Sequence, residues 1–170
     1  IRATSFSAEM SQFRKIQFSS FIKNNNLKKK KIVEIGTGTG HYLSIMNSLD
    51  INAHGIEFSS ESVSICKNLG LNVTNGFIDN IDFKIEDGPF DAFIIMSFLE
   101  HIPDINTALI GISNNLKDSG VGLVEVPNFD MILKNNLFSE FIGDHLYYFT
   151  EKTLRSTLES NGFEVIKCEE

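Results

Sequence analysis

The spacing of apolar positions changes from segment to segment along this chain, and each spacing predicts an element. Over residues 7 to about 24, Met10, Phe13, Ile16, Phe18, Phe21 and Ile22 recur three and four apart. That is the period of an amphipathic helix, which Asn24-Asn25-Asn26 ends. Ile32-Val33 and Ile35 then form a β-branched run with a single acid, Glu34. Without polar alternation it reads as a buried parallel strand. Leu43, Ile45, Met46 and Leu49 return to helical spacing. A second short strand follows over 52–58. Ser59-Ser60-Glu61 supplies a cap and an early acid for a helix to about residue 69, closed by Gly70. A third strand covers 71–77. The fourth, 90–98, is almost wholly apolar and therefore central.

The remaining pattern is less regular. Pro103 and Asp104 fit the start of a helix reaching about residue 116. Asp118-Ser119-Gly120 turns into a fifth strand over 121–126. Residues 129–149 are unusually aromatic, with Phe129, Phe138, Phe141, Tyr147, Tyr148 and Phe149. Thr150, with Thr153 contributing, caps a helix that Asn161-Gly162 stops. Phe163 and Val165 alternate with charge, which predicts a sixth strand over 163–170.

Composition narrows the class. The chain has 170 residues, 42% hydrophobic and 22% charged, enough for one domain with a full core. A net charge of -7 disfavours a nucleic-acid backbone as partner. The single basic run, Lys28-Lys29-Lys30-Lys31, reads as a solvated approach to the first strand. Two cysteines, Cys66 and Cys168, have no metal spacing and suit a reduced compartment. No apolar run reaches membrane-spanning length, and no signal peptide is visible. A cytoplasmic protein without membrane or nucleic-acid partner is therefore expected. The chain begins with Ile1-Arg2 rather than Met, so an upstream targeting segment would not be seen.

Candidate chemistry concentrates after the first strand. Gly36, Gly38 and Gly40 stand at alternate positions between Ile35 and the next helix. Such a turn needs positive φ or close backbone approach to a ligand, and the helix start leaves backbone N–H groups free. A dinucleotide fingerprint requires G-x-G-x-x-G. Counted from Gly36 the sixth position is His41, and counted from Gly38 it is Leu43. A phosphate-binding P-loop is excluded as well, because no Gly-Lys-Ser/Thr follows. What stands is E-x-G-x-G-x-G, Glu34 through Gly40. An acid at a strand end beside approachable backbone suits a cationic ligand. Glu57 closes the second strand, 17 positions after Gly40. An acid there can accept both hydroxyls of a ribose.

Glu34 through Gly40 closely resembles motif I of the class I S-adenosylmethionine (SAM)-dependent methyltransferases. Phe90-Asp91 with Leu99-Glu100-His101 and Asp104 resembles a signature frequent among the small-molecule members. The resemblance covers roughly residues 30 to 170. It implies a three-layer, Rossmann-like α/β sandwich with a mostly parallel sheet. Seven strands are usual there, so the last is expected to be truncated, disordered or replaced by a partner. It also implies SAM as cofactor and a small-molecule acceptor, methylated at O, N or C.

The implied site is wider than the turn. Glu34, Gly36, Thr37, Gly38, Gly40, Glu57 and Phe58 would hold the cofactor. Relatives place an acid after the third strand for the adenine amino group. Here Asp79, Asn80 or a stacking Phe77 fits that role, with Ile78 and Asp79 kept as wall residues. Ser97, at the end of the fourth strand, would face the methionine half. Pro127-Asn128 with Asp144-His145-Leu-Tyr147-Tyr148-Phe149-Thr150 looks like a subset acting on sugars and related metabolites. Asn128 and Tyr147 are therefore substrate candidates within a substrate-side insertion, 129–149. His145 is the preferred general base with Asp144 beside it, and His101 competes for the role. For each histidine a packed, structural role is an equal alternative. The N-terminal segment, 1–27, fits either a lid over the cofactor or a helix packed on the sheet. Nothing in the sequence calls for a metal, and no oligomeric state is assigned.

Overall fold

The computed structural model describes residues 7–170, so the first six residues of the expected N-terminal segment lie outside the described residues. The chain groups into two compact units. One holds the chain up to Phe77 with Lys84–Ile95 and Asn115–Leu123. The other holds Ile78–Phe83, Met96–Asn114 and Val124–Glu170.

Five strands form one parallel sheet flanked by helices, a Rossmann-like α/β fold. They are β1 (Lys31–Ile35), β2 (Asn52–Glu57), β3 (Asn72–Asn75), β4 (Phe90–Met96) and β5 (Leu116–Glu125). Their order is β3-β2-β1-β4-β5. The helices are α1 (Ala8–Asn24), α2 (His41–Asn47), α3 (Ser60–Asn68), α4 (Ile105–Ser113), α5 (Phe129–Lys134) and α6 (Glu151–Ser160). Strand and helix alternate except between β3 and β4, which are joined without a helix. Ile32, Val33, Ile94 and Ile95 are buried, as a strand covered on both faces requires. Parallel register pairs Glu34 with Gly55 on one side and with Ile94 on the other. The sheet changes direction of growth between β1 and β4. Open α/β sheets bind ligands outside the carboxyl ends of strands at such a switch point. The glycine turn leaves β1 there.

In the first unit α1 packs on α2. Its buried stripe differs from the predicted one. Arg14, Phe18 and Ile22 face inward, while Phe13 and Ile16 are exposed. The stripe runs strictly at every fourth position, and an arginine joins it through its planar head. That guanidinium lies 5.5 Å from the Tyr42 ring centroid and 5.6 Å from that of Phe13. The Phe18 ring meets Tyr42 edge-on at 5.7 Å. Ser11 Oγ and His41 Nε2, 3.0 Å apart, bring the start of α1 to the first residue of α2.

In the second unit Asp104 caps α4, accepting from Thr107 N at 3.1 Å. Thr150 and Thr153 cap α6 reciprocally, as their spacing predicts. The aromatic segment is ordered by its own rings: Tyr148 lies 5.4 Å from Phe129 and 5.3 Å from Phe141. The backbone N–H of Phe129 donates to Phe149 O at 2.8 Å.

Two strand expectations need correction. Residues 163–170 form no strand. Alternation describes which face a residue shows, but a strand also needs a neighbouring ladder. Here the Val165 carbonyl instead accepts from Arg155 at 3.1 Å, and Glu170 accepts from Asn128 at 2.7 Å. β5 also starts earlier than predicted, at Leu116 rather than Val121.

Candidate functional site

The glycine turn is built from β1 and β2 together. Gly36 N and Thr37 N both donate to Ile56 O, at 3.0 and 3.1 Å. This fixes the turn against the neighbouring strand. Gly38 and Gly40 have φ of 54° and 83°, where L side chains are strained. Their surroundings differ. A Cβ on Gly40 would overlap Leu71 Cδ1 and stand 2.9 Å from Cys66 Sγ, so that glycine serves packing. A Cβ on Gly38 would meet nothing within 4 Å. The backbone there faces open space.

Glu34 is buried beneath this turn. Thr37 Oγ1 donates to its Oε2 at 2.5 Å. Burial pushes the Glu34 carboxyl up to about 8. The Thr37 hydrogen bond opposes that rise, and the Glu57 charge adds to it. Gly55, opposite Glu34 in β2, makes room for the arrangement. A Cβ at Gly55 would come 2.8 Å from both Thr37 Oγ1 and Leu43 Cδ1.

Glu57 is held at both oxygens by backbone. Its Oε2 accepts from Gly38 N and its Oε1 from Ser59 N, each at 2.8 Å. A carboxylate has about four lone-pair sites, so each oxygen retains one. Phe58, the next residue, is 74% exposed. Preset acceptors, an open Gly38 backbone and an unburied aromatic ring fit a nucleoside with a charged tail. Glu34, Gly36, Thr37, Gly38 and Glu57 thus lie together around the glycine turn.

The second unit holds the remaining candidates. Ile78 is buried, and a Cβ on Gly111 of α4 would overlap its Cγ2. Asp79 is exposed and accepts from Asn80 Nδ2 at 2.9 Å. Ser97 is exposed with φ 49°, an uncommon backbone for serine, and its N–H donates to Glu125 O at 2.9 Å. Asn128 caps α5, accepting from Met131 N at 3.1 Å. Tyr147 donates its hydroxyl to Pro103 O at 2.8 Å.

The two histidines treated as competitors are neighbours. His101 lies in a 3-10 turn, Leu99–His101. Leu146 N donates to Glu100 O at 2.9 Å, which ties that turn to the Asp144-His145 segment. The imidazoles of His101 and His145 stand 4.7 Å apart, centroid to centroid, at 77°. His101 Nδ1 is 2.9 Å from the backbone oxygen of Asp144. A carbonyl only accepts, so a neutral His101 carries its proton on Nδ1 and leaves Nε2 bare. The Asp144 carboxylate lies 4.0 Å from the same nitrogen. Burial holds His145 below the usual imidazole range, and the charge of His101 adds to that; Asp144 and Glu140 oppose it. Glu100, a residue the sequence reading passed over, is 1% exposed. Burial raises its carboxyl, and neither of its oxygens has a hydrogen-bond partner. An acid directly before a histidine and directly after an apolar residue was the available signal. It does not separate a buried acid from a solvated one.

The methyltransferase-domain family matches residues 9–168. The chain belongs to that family. The match spans both units. Among curated relatives, the methyltransferase domain is 28% identical over 138 residues to the C-methyltransferase NovU of Streptomyces niveus, covering 79% of this chain and 33% of that protein. It is 25% identical over 117 residues to a ubiquinone biosynthesis O-methyltransferase of Colwellia psychrerythraea, covering 66% and 48% respectively. The chain therefore spans a third to a half of the length of these relatives. In structure it is similar to a SAM-dependent methyltransferase from Clostridium acetobutylicum, with a TM-score of 0.72 at 14% identity. That similarity covers 92% of this chain and 82% of the other. S-adenosylmethionine is the cofactor of this methyltransferase domain. Among the described residues no helix is long and apolar enough to cross a membrane.

Proposed function

We propose that this methyltransferase domain transfers a methyl group from SAM to an O, N or C nucleophile of a small molecule. The observation that carries the reading is Glu57, whose two oxygens are fixed by Gly38 N and Ser59 N beside open space at Gly38. Bound there, the cofactor supplies an electrophilic methyl on a sulfonium. The chain's own residues do the rest. Glu57 accepts the ribose hydroxyls through its remaining lone pairs. Phe58 offers its ring to the adenine. Backbone at Gly36 and Gly38 serves the methionine half, while Glu34, Thr37 and Gly40 hold the turn in place. His145 takes the proton of an acidic nucleophile, and its lowered basicity keeps the imidazole neutral near pH 7. His101 orients it or substitutes for it.

For the acceptor we favour a sugar or surface-polysaccharide precursor, on the pattern from Pro127-Asn128 through Asp144-His145 to Phe149-Thr150. Asn128 and Tyr147 line the substrate side in this reading. By their names one curated relative methylates carbon and the other oxygen, so the acceptor atom is left open. Cytoplasmic work without nucleic acid or membrane fits the net charge of -7. Calorimetry with SAM, S-adenosylhomocysteine and NAD tests the reading. Binding of the first two and not the third is expected. NAD binding, or silence to all three, would refute it.

A further inference from the structure

Three ligand-bearing side chains of the second unit converge. Glu100, His101 and His145 each offer one ligand atom, and these atoms all lie within 4.8 Å of one another. Both Glu100 oxygens and His145 Nδ1 are buried without a hydrogen-bond partner. A neutral His101 with its Nδ1–H on the Asp144 carbonyl, 2.9 Å away, leaves Nε2 bare. That nitrogen stands 4.0 Å from Glu100 Oε1. Buried polar atoms are rarely left unpaired, and an unpaired buried carboxylate is the costliest kind. A cation would satisfy three converging lone pairs at once.

We propose that Glu100, His101 and His145 bind a divalent transition-metal ion. Two imidazoles and one carboxylate suit zinc, cobalt, manganese or ferrous iron. Magnesium and calcium prefer all-oxygen shells and fit poorly. The Nδ1–H of His101 donating to a backbone carbonyl is the outer contact that orients a ligating histidine and fixes its tautomer. A tetrahedral ion with bonds of about 2.1 Å spaces its ligands about 3.4 Å apart. The site therefore closes from 4.0 Å at the Glu100–His101 edge by rotamer adjustment. Three protein ligands leave a position open, as sites that polarise a bound water or hydroxyl do. This departs from the sequence expectation of no metal. It uses the two histidines that the proposed function gives to proton transfer, so a chain holding the ion has no free His145 base.

The test is a titration of untagged, chelator-stripped protein with Co2+ and with Zn2+, followed by calorimetry and cobalt visible absorption. One ion per chain, with cobalt bands reporting nitrogen ligation, is expected. His101→Asn and His145→Asn should each weaken binding tenfold or more. Glu100→Gln should do the same. Because that side chain is buried and its replacement risks misfolding, the two histidine variants, checked by circular dichroism, keep the test decisive. No binding by the unaltered chain up to millimolar ion would overturn the proposal. So would full binding in both histidine variants, which would mean surface carboxylates take the ion. SAM affinity is measured on the same samples. Cobalt binding without SAM binding would sink the methyltransferase reading and leave the metal site standing.

Discussion

Glu34→Gln isolates the cost of keeping an acid beneath the glycine turn. The folded chain raises this carboxyl from its ordinary 4.5 to about 8, chiefly by burial. The folded state therefore holds a proton that the unfolded state releases, and stability falls as pH rises from 4.5 through about 8. The difference of about 3.5 between the two values corresponds to about 5 kcal/mol when fully expressed, at about 1.4 kcal/mol per unit. At pH 5 little is lost. At pH 7 the loss is about 3 kcal/mol, and above pH 8 it approaches the full amount. Glutamine carries no titration and can still accept the Thr37 hydroxyl, now 2.5 Å from Glu34 Oε2. Its amide N–H adds a penalty, but one that does not change with pH. Urea unfolding of both proteins at pH 5, 7 and 9 gives the comparison. The stability of Glu34→Gln relative to the unaltered chain should climb by about 3 kcal/mol from pH 5 to 7 and further by pH 9. Other titrating groups cancel in that difference. Parallel stability profiles would show that Glu34 is ionised in the fold and that the burial argument is wrong.

Glu57→Ala removes the acceptor of Gly38 N and Ser59 N as well as the ribose contact. SAM affinity should drop by about 2–4 kcal/mol in calorimetry, and unchanged affinity would move the cofactor elsewhere. Gly55→Ala places a Cβ 2.8 Å from Thr37 Oγ1 and Leu43 Cδ1. Overpacking of this kind costs about 1–3 kcal/mol, so an unshifted urea midpoint would contradict the packing described for Glu34. His145→Asn should leave SAM affinity near its original value and cut turnover by about 10²–10⁴-fold. Equal turnover, once an acceptor is in hand, would return the base role to His101 or to none.

The alternation of β-branched runs with helical spacing, and the glycines at 36, 38 and 40, determined the strand–turn–helix order. Those signals are local: a 3.6-residue period, a buried strand and a positive-φ turn each leave their mark within a few residues. The same locality explains the failures. Residues 163–170 have the alternation of a strand, yet pairing needs a partner that no local pattern supplies. Arg14 is charged, yet it lies buried because Tyr42, 28 positions away, gives its guanidinium a ring to cover. The Gly55 contribution appears only when parallel register sets it opposite Glu34. Glu100 and His145 are 45 residues apart in sequence, and only the fold makes them neighbours through the Leu146 N–H on the Glu100 carbonyl. Burial and convergence are properties of three-dimensional neighbours. The sequence named both histidines, but which of them face one another, and the unpaired acid between them, was decided by tertiary structure alone.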